Sequence, residues 1–342
     1  MFDMRKAASF NKLWHREYTD VLGLDIGDSG IKAVRLKLIK KHISVVAADI
    51  LPVIPLPEGE SGAMSSLVIP KALKARHVAL AVSGGGAQIK LLSFPAHSEK
   101  SIDTHILELM GLSNRAKYRI AYEPLTETRV EVRVLAVALP DSLGRSICKL
   151  FPVATPAPCS LEVSGLASMT AFSKGPGLRH SEGCVAVVDF GYSSAMVAFF
   201  NKGVMVLIRK LDLGVVHILK RMQESLGVNQ DVAIGILNDG SFDVSRIVHQ
   251  AMEPFLQQMV VSWDFVERRE NVHIKDLYAC GGGVSIRGWV QELESATGQK
   301  VSVWNPFETL TLQAGAYPER FKGQESRFSG AIGAALAKLG TQ

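Results

Sequence analysis

One short pattern occurs twice in this chain of 342 residues, and each time it joins two apolar segments that have the length of β-strands. The first copy is DIGDS, from Asp25 to Ser29, and the second is DFGYS, from Asp189 to Ser193. An internal repeat constrains the architecture, because each copy marks one structural unit. Since this unit recurs only once, and at long range, it predicts two similar α/β halves and not a solenoid.

Each copy carries side chains that suit a phosphate group and its metal ion. A carboxylate at the end of a buried strand, such as Asp25 or Asp189, lies where a hydrated Mg²⁺ can bind. The glycine lets backbone N–H groups approach a phosphate, and the serine adds a hydroxyl donor. Two facing hairpins of this kind would hold a triphosphate, although either copy alone is more often an ordinary β-turn. The candidate residues are Asp25, Gly27, Ser29, Asp189, Gly191 and Ser193.

Two further features add to the predicted site. The run Gly281-Gly282-Gly283 stands between a predicted strand and a predicted helix, where backbone can approach a ligand closely; a tight strand–helix turn is the alternative. Glu162, in the apolar segment SLEVSGLASM, is a candidate to orient or activate the water that attacks a γ-phosphate. Its alternative is an acid on a helix surface. Neither a Walker A motif nor the full Rossmann fingerprint is present.

The remaining pattern divides the chain into segments. Residues 1–19 have apolar side chains at the spacing of one helix face and are predicted to form a separate amphipathic segment. Residues 98–151 are predicted to be a small α+β unit with proline-rich exits. The predicted parts are the segment 1–19, a first half of 20–97, 152–182 and 311–342, the insert 98–151, and a second half 183–310 with a helical subdomain at about 228–274.

Charge and cysteine content limit the kinds of function that the chain can have. The net charge of +5 is spread along the chain and does not predict a nucleic-acid interface, which needs a clustered patch. The densest basic segment, RLKLIKK from Arg35 to Lys41, is interpreted as an exposed edge strand guarded by lysines. Four cysteines without metal-ligand spacing predict a reducing compartment. No bilayer-spanning run or signal peptide is evident, so a cytoplasmic protein is predicted.

These motifs, in this order, resemble the actin, heat-shock-chaperone and sugar-kinase superfamily, and within it the PilM family of type IV pilus assembly proteins. The resemblance covers roughly residues 20–340, and its most specific segment is ACGGGVSIRGWVQELESATGQKVSVWNPF. It implies an α/β fold of the actin-like (ribonuclease H-like) class, with duplicated domains around a nucleotide cleft and a small inserted α+β subdomain. The other matching segments are LDIGDSGIKAVRL, EVRVLAVALPDSL, CSLEVSGLASMTAF, VVDFGYSSAMVAFFNKG and SGAIGAALAKL.

The resemblance implies a site for ATP and Mg²⁺, with Asp25 and Asp189 holding the metal ion through water. It adds Lys32 to the first phosphate loop, gives Glu162 the acid position near the γ-phosphate, and places the glycine run from Gly281 beside the adenosine. The groove of the family binds the cytoplasmic N-terminal tail of PilN, a bitopic membrane protein. This partner implies a position at the inner membrane, and a homo-oligomer or ring is left open. No nucleic-acid partner is implied.

The sequence departs from the family pattern at several positions of the expected site. Asp28 replaces a small hydroxyl residue, and its carboxylate would repel phosphates. Tyr192 replaces a small residue, and Gly214 is followed by valine instead of a second glycine. Two polar groups of the long helix are replaced by Gln258 and Val261. The expectation is therefore weak nucleotide binding or a scaffold, and at most a slow ATPase.

Two alternative functions belong to the same superfamily. A small-molecule kinase needs a general base beside the acceptor hydroxyl, and the first half shows no convincing sugar-binding D-x-G-x-x motif. A filament-forming ATPase resembling FtsA or MreB is the other alternative, although the sequence ends in AALAKLGTQ and not in the membrane helix of FtsA. A kinase would turn over ATP only with an acceptor present, and a filament former would scatter light with ATP and Mg²⁺. A protein that serves as an assembly platform would do neither.

Overall fold

The computed structural model describes residues 18–54, 66–83, 86–97, 101–151, 156–239 and 242–340. The amphipathic segment expected over residues 1–19 therefore lies outside the described part, except for Tyr18 and Thr19. Tyr18 forms a parallel bridge to Leu339, so the beginning and the end of the described chain lie side by side. No described helix is both long and apolar enough to cross a membrane.

The first half is built on a six-stranded sheet with the order β14-β3-β2-β1-β4-β8. Strands β1, β2 and β3 form an antiparallel meander, whereas β4 and β8 continue the sheet in parallel to β1. Its central strands are buried on both faces, as expected of parallel strands between layers. The strands are β1 (Asp20–Gly27), β2 (Gly30–Ile39), β3 (His42–Leu51), β4 (His77–Val82), β8 (Ala157–Val163) and β14 (Thr311–Leu312).

One expectation about this sheet is wrong. The basic segment from Arg35 to Lys41 was expected on an exposed edge, but β2 pairs with β1 on one side and with β3 on the other. Apolar and basic residues alternate here because successive side chains of β2 point to opposite faces of the sheet, with Leu36 buried and Arg35 and Lys37 half-buried. Protection of a free sheet edge therefore does not explain these lysines.

The second half repeats the same connections in a five-stranded sheet with the order β11-β10-β9-β12-β13. Strand β10 is antiparallel to both of its neighbours, and β12 and β13 continue in parallel to β9. The repeat seen in the sequence thus corresponds to a repeated topology. The strands are β9 (Cys184–Phe190), β10 (Ala195–Asn201), β11 (Val204–Leu211), β12 (Ile274–Cys280) and β13 (Val301–Val303).

A smaller antiparallel sheet has the order β5-β7-β6 and is covered on one face by the first helix. Because its edge strand β5 precedes residue 98, the small unit begins earlier than the sequence indicated. The pattern could not reveal this, since β5 resembles another strand of the first sheet until its partner is known. The elements are β5 (Gln88–Pro95), α1 (Ile102–Met110), β6 (Tyr118–Glu127), β7 (Glu131–Pro140) and α2 (Asp141–Cys148).

Two short helices, α3 (Ser164–Ser173) and α8 (Ser329–Lys338), pack against each other in the core of the first half. They approach closely because their contacts are made by small residues. A Cβ atom on Gly333 would overlap the carbonyl group of Ala167, so only glycine fits there. The other helices pack around the second sheet and are α4 (Val215–Leu226), α5 (Gln230–Asp239), α6 (Ser245–Glu270) and α7 (Trp289–Thr297).

Candidate functional site

A cavity of about 570 Å³ lies where the carboxyl ends of the two large sheets meet. Both repeated hairpins face it, together with the start of α3 and the segment that leads into α8. Nine of the residues predicted from the sequence line this cavity, which brings together positions from three distant parts of the chain. They are Asp25, Gly27, Ser29, Lys32, Asp189, Gly191, Ser193, Gly281 and Gly282.

The first hairpin is a tight turn with a buried lysine behind it. Gly27 pairs with Gly30, so only Asp28 and Ser29 form the loop between β1 and β2. The Lys32 ammonium donates to Ser29 Oγ at 3.0 Å and to the Gly30 carbonyl at 3.2 Å. Its side chain is buried, and burial lowers the pKa of Lys32 while the Asp25 charge opposes that shift. A cation is thus fixed directly beneath the first turn.

The second hairpin is longer and is closed by the start of a helix. Phe190 pairs with Ala195, which leaves four residues in the loop between β9 and β10. The Val215 amide, at the first position of α4, donates to the Gly191 carbonyl at 3.2 Å. The Tyr192 hydroxyl accepts a hydrogen bond of 3.0 Å from the Gln230 amide in α5. The larger Tyr192 side chain is therefore bound to the helical part of the second half.

Two serines of α3, one helical turn apart, hold the two carboxylates of the repeat. Ser164 Oγ donates to Asp25 Oδ1 at 2.5 Å, and Ser168 Oγ lies 2.6 Å from Asp189 Oδ2. Ser168 also lies 3.0 Å from the Ser329 hydroxyl at the start of α8. Sequence reasoning missed all three serines. The i, i+4 spacing of Ser164 and Ser168 in SLEVSGLASM, directly after the acidic position, was the signal that could have indicated these two residues.

Both carboxylates are half-buried in the cavity wall, and their partial loss of solvation raises the pKa of each. For Asp25 the nearby Lys32 charge and the Ser164 hydrogen bond oppose this shift. For Asp189 the pKa rises to about 6, with the Ser168 hydrogen bond as the main opposing effect. Partly desolvated carboxylates without a full counter-charge favour a cation in the cavity. Among the described residues, however, no group of three or more His, Cys, Asp or Glu side chains could hold a metal ion by itself.

The three glycines after β12 have different structural roles. Gly281 has a φ of +92°, and a Cβ atom there would overlap Asp189 Oδ1 and the Phe190 carbonyl. A Cβ atom on Gly283 would overlap the Phe190 ring, and Gly283 does not line the cavity. At Gly282, which also lines the cavity, a Cβ atom would have Arg327 Nε as its nearest neighbour at 3.7 Å. The fold thus requires Gly281 and Gly283, whereas Gly282 leaves space for a ligand.

Comparison with known proteins agrees with this architecture. The family model of the type IV pilus assembly protein PilM matches residues 166–339, just over half of the chain. The chain belongs to this family. No curated protein sequence matches the chain significantly.

Among solved structures, a PilM–PilN type IV pilus biogenesis complex is similar over 94% of this chain and 98% of its own, with 19% identity and a TM-score of 0.75. This likeness confirms the predicted actin-like α/β fold. MreB 5 of Spiroplasma citri bound to AMPPNP covers 93% of this chain and 95% of its own at 9% identity, with a TM-score of 0.44. An archaeal actin homologue covers 93% and 98% at 13% identity, with a TM-score of 0.43.

Besides Gly283, a second position predicted from the PilM resemblance, Glu162, is not in the cavity. Glu162 lies in β8 but is not among the lining residues, whereas its neighbours Val163 and Ser164 are. Burial raises the pKa of Glu162 to about 7, and the charges of Lys338 and Lys174 oppose the shift. Because successive side chains of a strand point to opposite faces, Glu162 and Val163 cannot both face the cleft. The structure thus does not place Glu162 beside a bound phosphate.

The departures in the long helix also lie away from the cavity. Gln258, Val261 and Ser262 all belong to α6, and none of the three lines the cavity. Gln258 instead accepts from Arg209 at 3.5 Å, and the Ser262 hydroxyl donates to the Gln258 carbonyl. A cationic residue that sequence reasoning missed, Arg327, does line the cavity. Its segment, ESRF before α8, matches no phosphate-binding motif, so only the fold reveals it.

Proposed function

We propose that this PilM-family chain binds ATP with Mg²⁺ in the cleft between its two halves and serves there as a component of type IV pilus assembly. The observation that carries this proposal is the pair of facing hairpins, each with a half-buried carboxylate at its base, around one cavity. A cavity of about 570 Å³ is within the usual range of small-molecule sites. Its walls combine glycine backbone, hydroxyl groups and cations, which suits a triphosphate.

Each part of the nucleotide has a matching group in the cavity. Asp25 and Asp189 are the candidates to hold Mg²⁺ through water, since Mg²⁺ usually keeps several waters and takes few protein carboxylates. The phosphates would lie against the backbone of both turns, with Lys32 and the hydroxyls of Ser29 and Ser193 as donors. Gly282 leaves space beside Arg327, and the adenosine is assigned to that side.

The proposal favours binding over rapid hydrolysis. The carboxylates that line the cavity are Asp25, Asp28 and Asp189, and two of these are already assigned to the metal ion. Glu162, the expected acid for activating water, lies outside the lining. A slow ATPase or a structural nucleotide is therefore the function we infer. Activity as a small-molecule kinase has no specific observation in its favour.

The partner is inferred from the family. The PilM structure that resembles this chain over nearly its full length was solved as a complex with PilN. We therefore infer that the chain binds the cytoplasmic N-terminal tail of a PilN-like bitopic membrane protein. The protein would then act on the cytoplasmic side of the inner membrane, held there by its partner. A pull-down of detergent-solubilised membranes with the purified chain tests this inference, and recovery of no membrane protein would contradict it.

Isothermal titration with ATP and Mg²⁺ tests the nucleotide site. We expect micromolar binding to the parent chain and its loss in Asp25→Ala and Asp189→Ala, because either substitution removes half of the metal site. Asp231→Ala, at an exposed position of α5, is the matched control and should bind as the parent does. Circular dichroism would establish that the variants are folded. Unchanged ATP binding in both cleft variants would mean that these hairpins do not form the nucleotide site.

A further inference from the structure

The end of the first sheet that is opposite the cleft carries a group of cations. Strands β1, β4 and β8 begin at this end, and β2 and β3 meet there in a turn, so it lies the length of a strand away from the phosphate hairpins. The residues that define this surface, here called the basic end, are Lys37, Lys40, Lys41, Lys71, Lys74 and Arg76.

Among the described residues, the acid that forms ion pairs at the basic end is Asp20. Asp20 is bound there by Arg35 at 2.7 Å and by Lys37 at 3.2 Å. The other five cations of the basic end, all exposed, make no ion pair within the part of the chain that the structure describes. Exposed lysines repel one another, so a cluster of this kind has an electrostatic cost unless an anion binds it. Protection of a sheet edge does not account for it, because β2 has a neighbour on each side.

The second half shows that the repeated fold does not require this charge. Its equivalent two-residue turn is Lys202-Gly203 between β10 and β11, as Lys40-Lys41 is between β2 and β3. Around that turn the chain carries several acids instead of a lysine cluster. They are Glu182, Glu267, Glu270 and Asp276, which flank the starts of β9 and β12. Cations stand at that end as well, among them Lys202, Arg268, Arg269 and Lys275, so its charge is mixed, whereas cations predominate at the basic end.

We propose that the basic end binds an anionic phospholipid surface. Lysine ammonium groups act as point charges that suit a layer of phosphate headgroups, and each one near such a surface adds to the affinity. The apolar side chain of Ile39, 40% exposed, stands beside Lys40 and can enter the headgroup layer. The basic end consists of strand ends and a three-residue 3-10 turn, so it offers no α-helix for a nucleic-acid groove.

The position of the basic end leaves the cleft free. A lipid surface at one end of the first sheet and a nucleotide at the other do not compete, and the inference does not depend on nucleotide binding. It is also separate from the PilN-like partner, because vesicles of pure lipid contain no protein. Failure of either proposed function would therefore leave this inference untouched.

Vesicle co-sedimentation of the full chain tests the proposal. We expect binding to phosphatidylcholine vesicles that contain phosphatidylglycerol, little binding to pure phosphatidylcholine, and release by high salt. The variant K40N/K41G removes two charges and keeps the turn, because both lysines have positive φ values of 48° and 68° that Asn and Gly adopt easily. Its affinity for the anionic vesicles should fall by about 25-fold, at roughly fivefold per lysine.

K202N is the matched control, since Lys202 has a φ of 52° in the equivalent turn of the second half. It should bind the anionic vesicles as the parent chain does. If K202N and K40N/K41G lost affinity for the anionic vesicles equally, the assignment to the basic end would be overturned. Unchanged vesicle binding in K40N/K41G would overturn it as well. Binding to a short DNA duplex as tightly as to the anionic vesicles would contradict a lipid partner and indicate a nucleic-acid one.

Discussion

The two repeated hairpins share a sequence pattern and a topology but differ in their chemistry. In the first, a two-residue turn is backed by the buried cation Lys32. In the second, a four-residue loop is closed by the start of α4, and no lysine occupies the place of Lys32, where Met196 stands opposite Asp189. Asp25 therefore has a counter-charge as its cross-strand neighbour, whereas the negative charge of Asp189 is stabilised mainly by the hydroxyl of Ser168.

This difference indicates how a duplicated fold can build one asymmetric site. Both carboxylates are held from the same helix, α3, so neither half positions its aspartate alone. The first hairpin supplies positive charge for phosphates, and the second supplies the less compensated negative charge for a cation. Substitutions that distinguish the two hairpins therefore test whether each half has the role that we propose for it.

The largest expected effect is on the pH dependence of stability. With a folded-state pKa of about 6 against an ordinary pKa of 3.8, Asp189 keeps its proton in the folded chain over a window where the unfolded chain has released it. The free energy of unfolding therefore falls as the pH rises through this window. Asp189→Asn removes the effect, so between about pH 4 and pH 7 the variant should gain about 3 kcal/mol relative to the parent.

Urea unfolding without Mg²⁺ or nucleotide, measured across that pH range, checks this expectation. Asp25→Asn should show a smaller change of the same sign, because Lys32 already compensates Asp25. Asp231→Asn on the surface of α5 should follow the parent at every pH. Equal changes in the two cleft variants would show that Lys32 does not distinguish the hairpins.

The glycines of the two hairpins provide the next test. A Cβ atom on Gly191 would lie 2.8 Å from the Ser194 carbonyl, whereas on Gly27 the nearest atom is Lys32 Nζ at 3.5 Å. Gly191→Ala should therefore lower the free energy of unfolding by about 2 kcal/mol, and Gly27→Ala should change it by less than about 0.5 kcal/mol. Chemical denaturation measures both. Gly27→Ala should nevertheless weaken ATP binding, since its methyl group would stand where phosphate approaches.

Sequence reasoning predicted the repeat and nine of the residues that line the cavity, because most of those nine lie at fixed offsets from the ends of apolar strands. Asp25 and Asp189 are examples, since the end of a buried strand is visible in the pattern itself. The order of strands in a sheet is not visible in this way. The place of β2 between two neighbours, and the membership of β5 in the small sheet, depend on pairings between distant segments.

The parts of the site that the sequence did not reveal come from tertiary contacts of small or isolated residues. Ser164 and Ser168 bind the carboxylates only because α3 packs beneath both hairpins. Arg327 enters the cavity from a turn that has no motif of its own. Glu162 was assigned by its position in the order of motifs, but the alternation of side chains along β8 turns it away from the cavity. The assignment therefore depended on which of two adjacent residues of β8, Glu162 or Val163, faces the cavity.

The smallest expected effect concerns Asp28, the acid in the first turn where the PilM pattern has a small hydroxyl residue. Asp28 lines the cavity, and its contact with Ser83 at 3.5 Å is weak and exposed. Its charge lies on the side where the phosphates are proposed to bind, at an effective cost of about 1 kcal/mol in a solvated site. Asp28→Ser should therefore raise the affinity for ATP with Mg²⁺ severalfold, most strongly at low salt. Titration calorimetry at two salt concentrations measures the gain, with Asp231→Ser as the control. A loss of affinity in Asp28→Ser would mean that this carboxylate helps to hold the metal ion, and that the first hairpin contributes more negative charge than its counterpart.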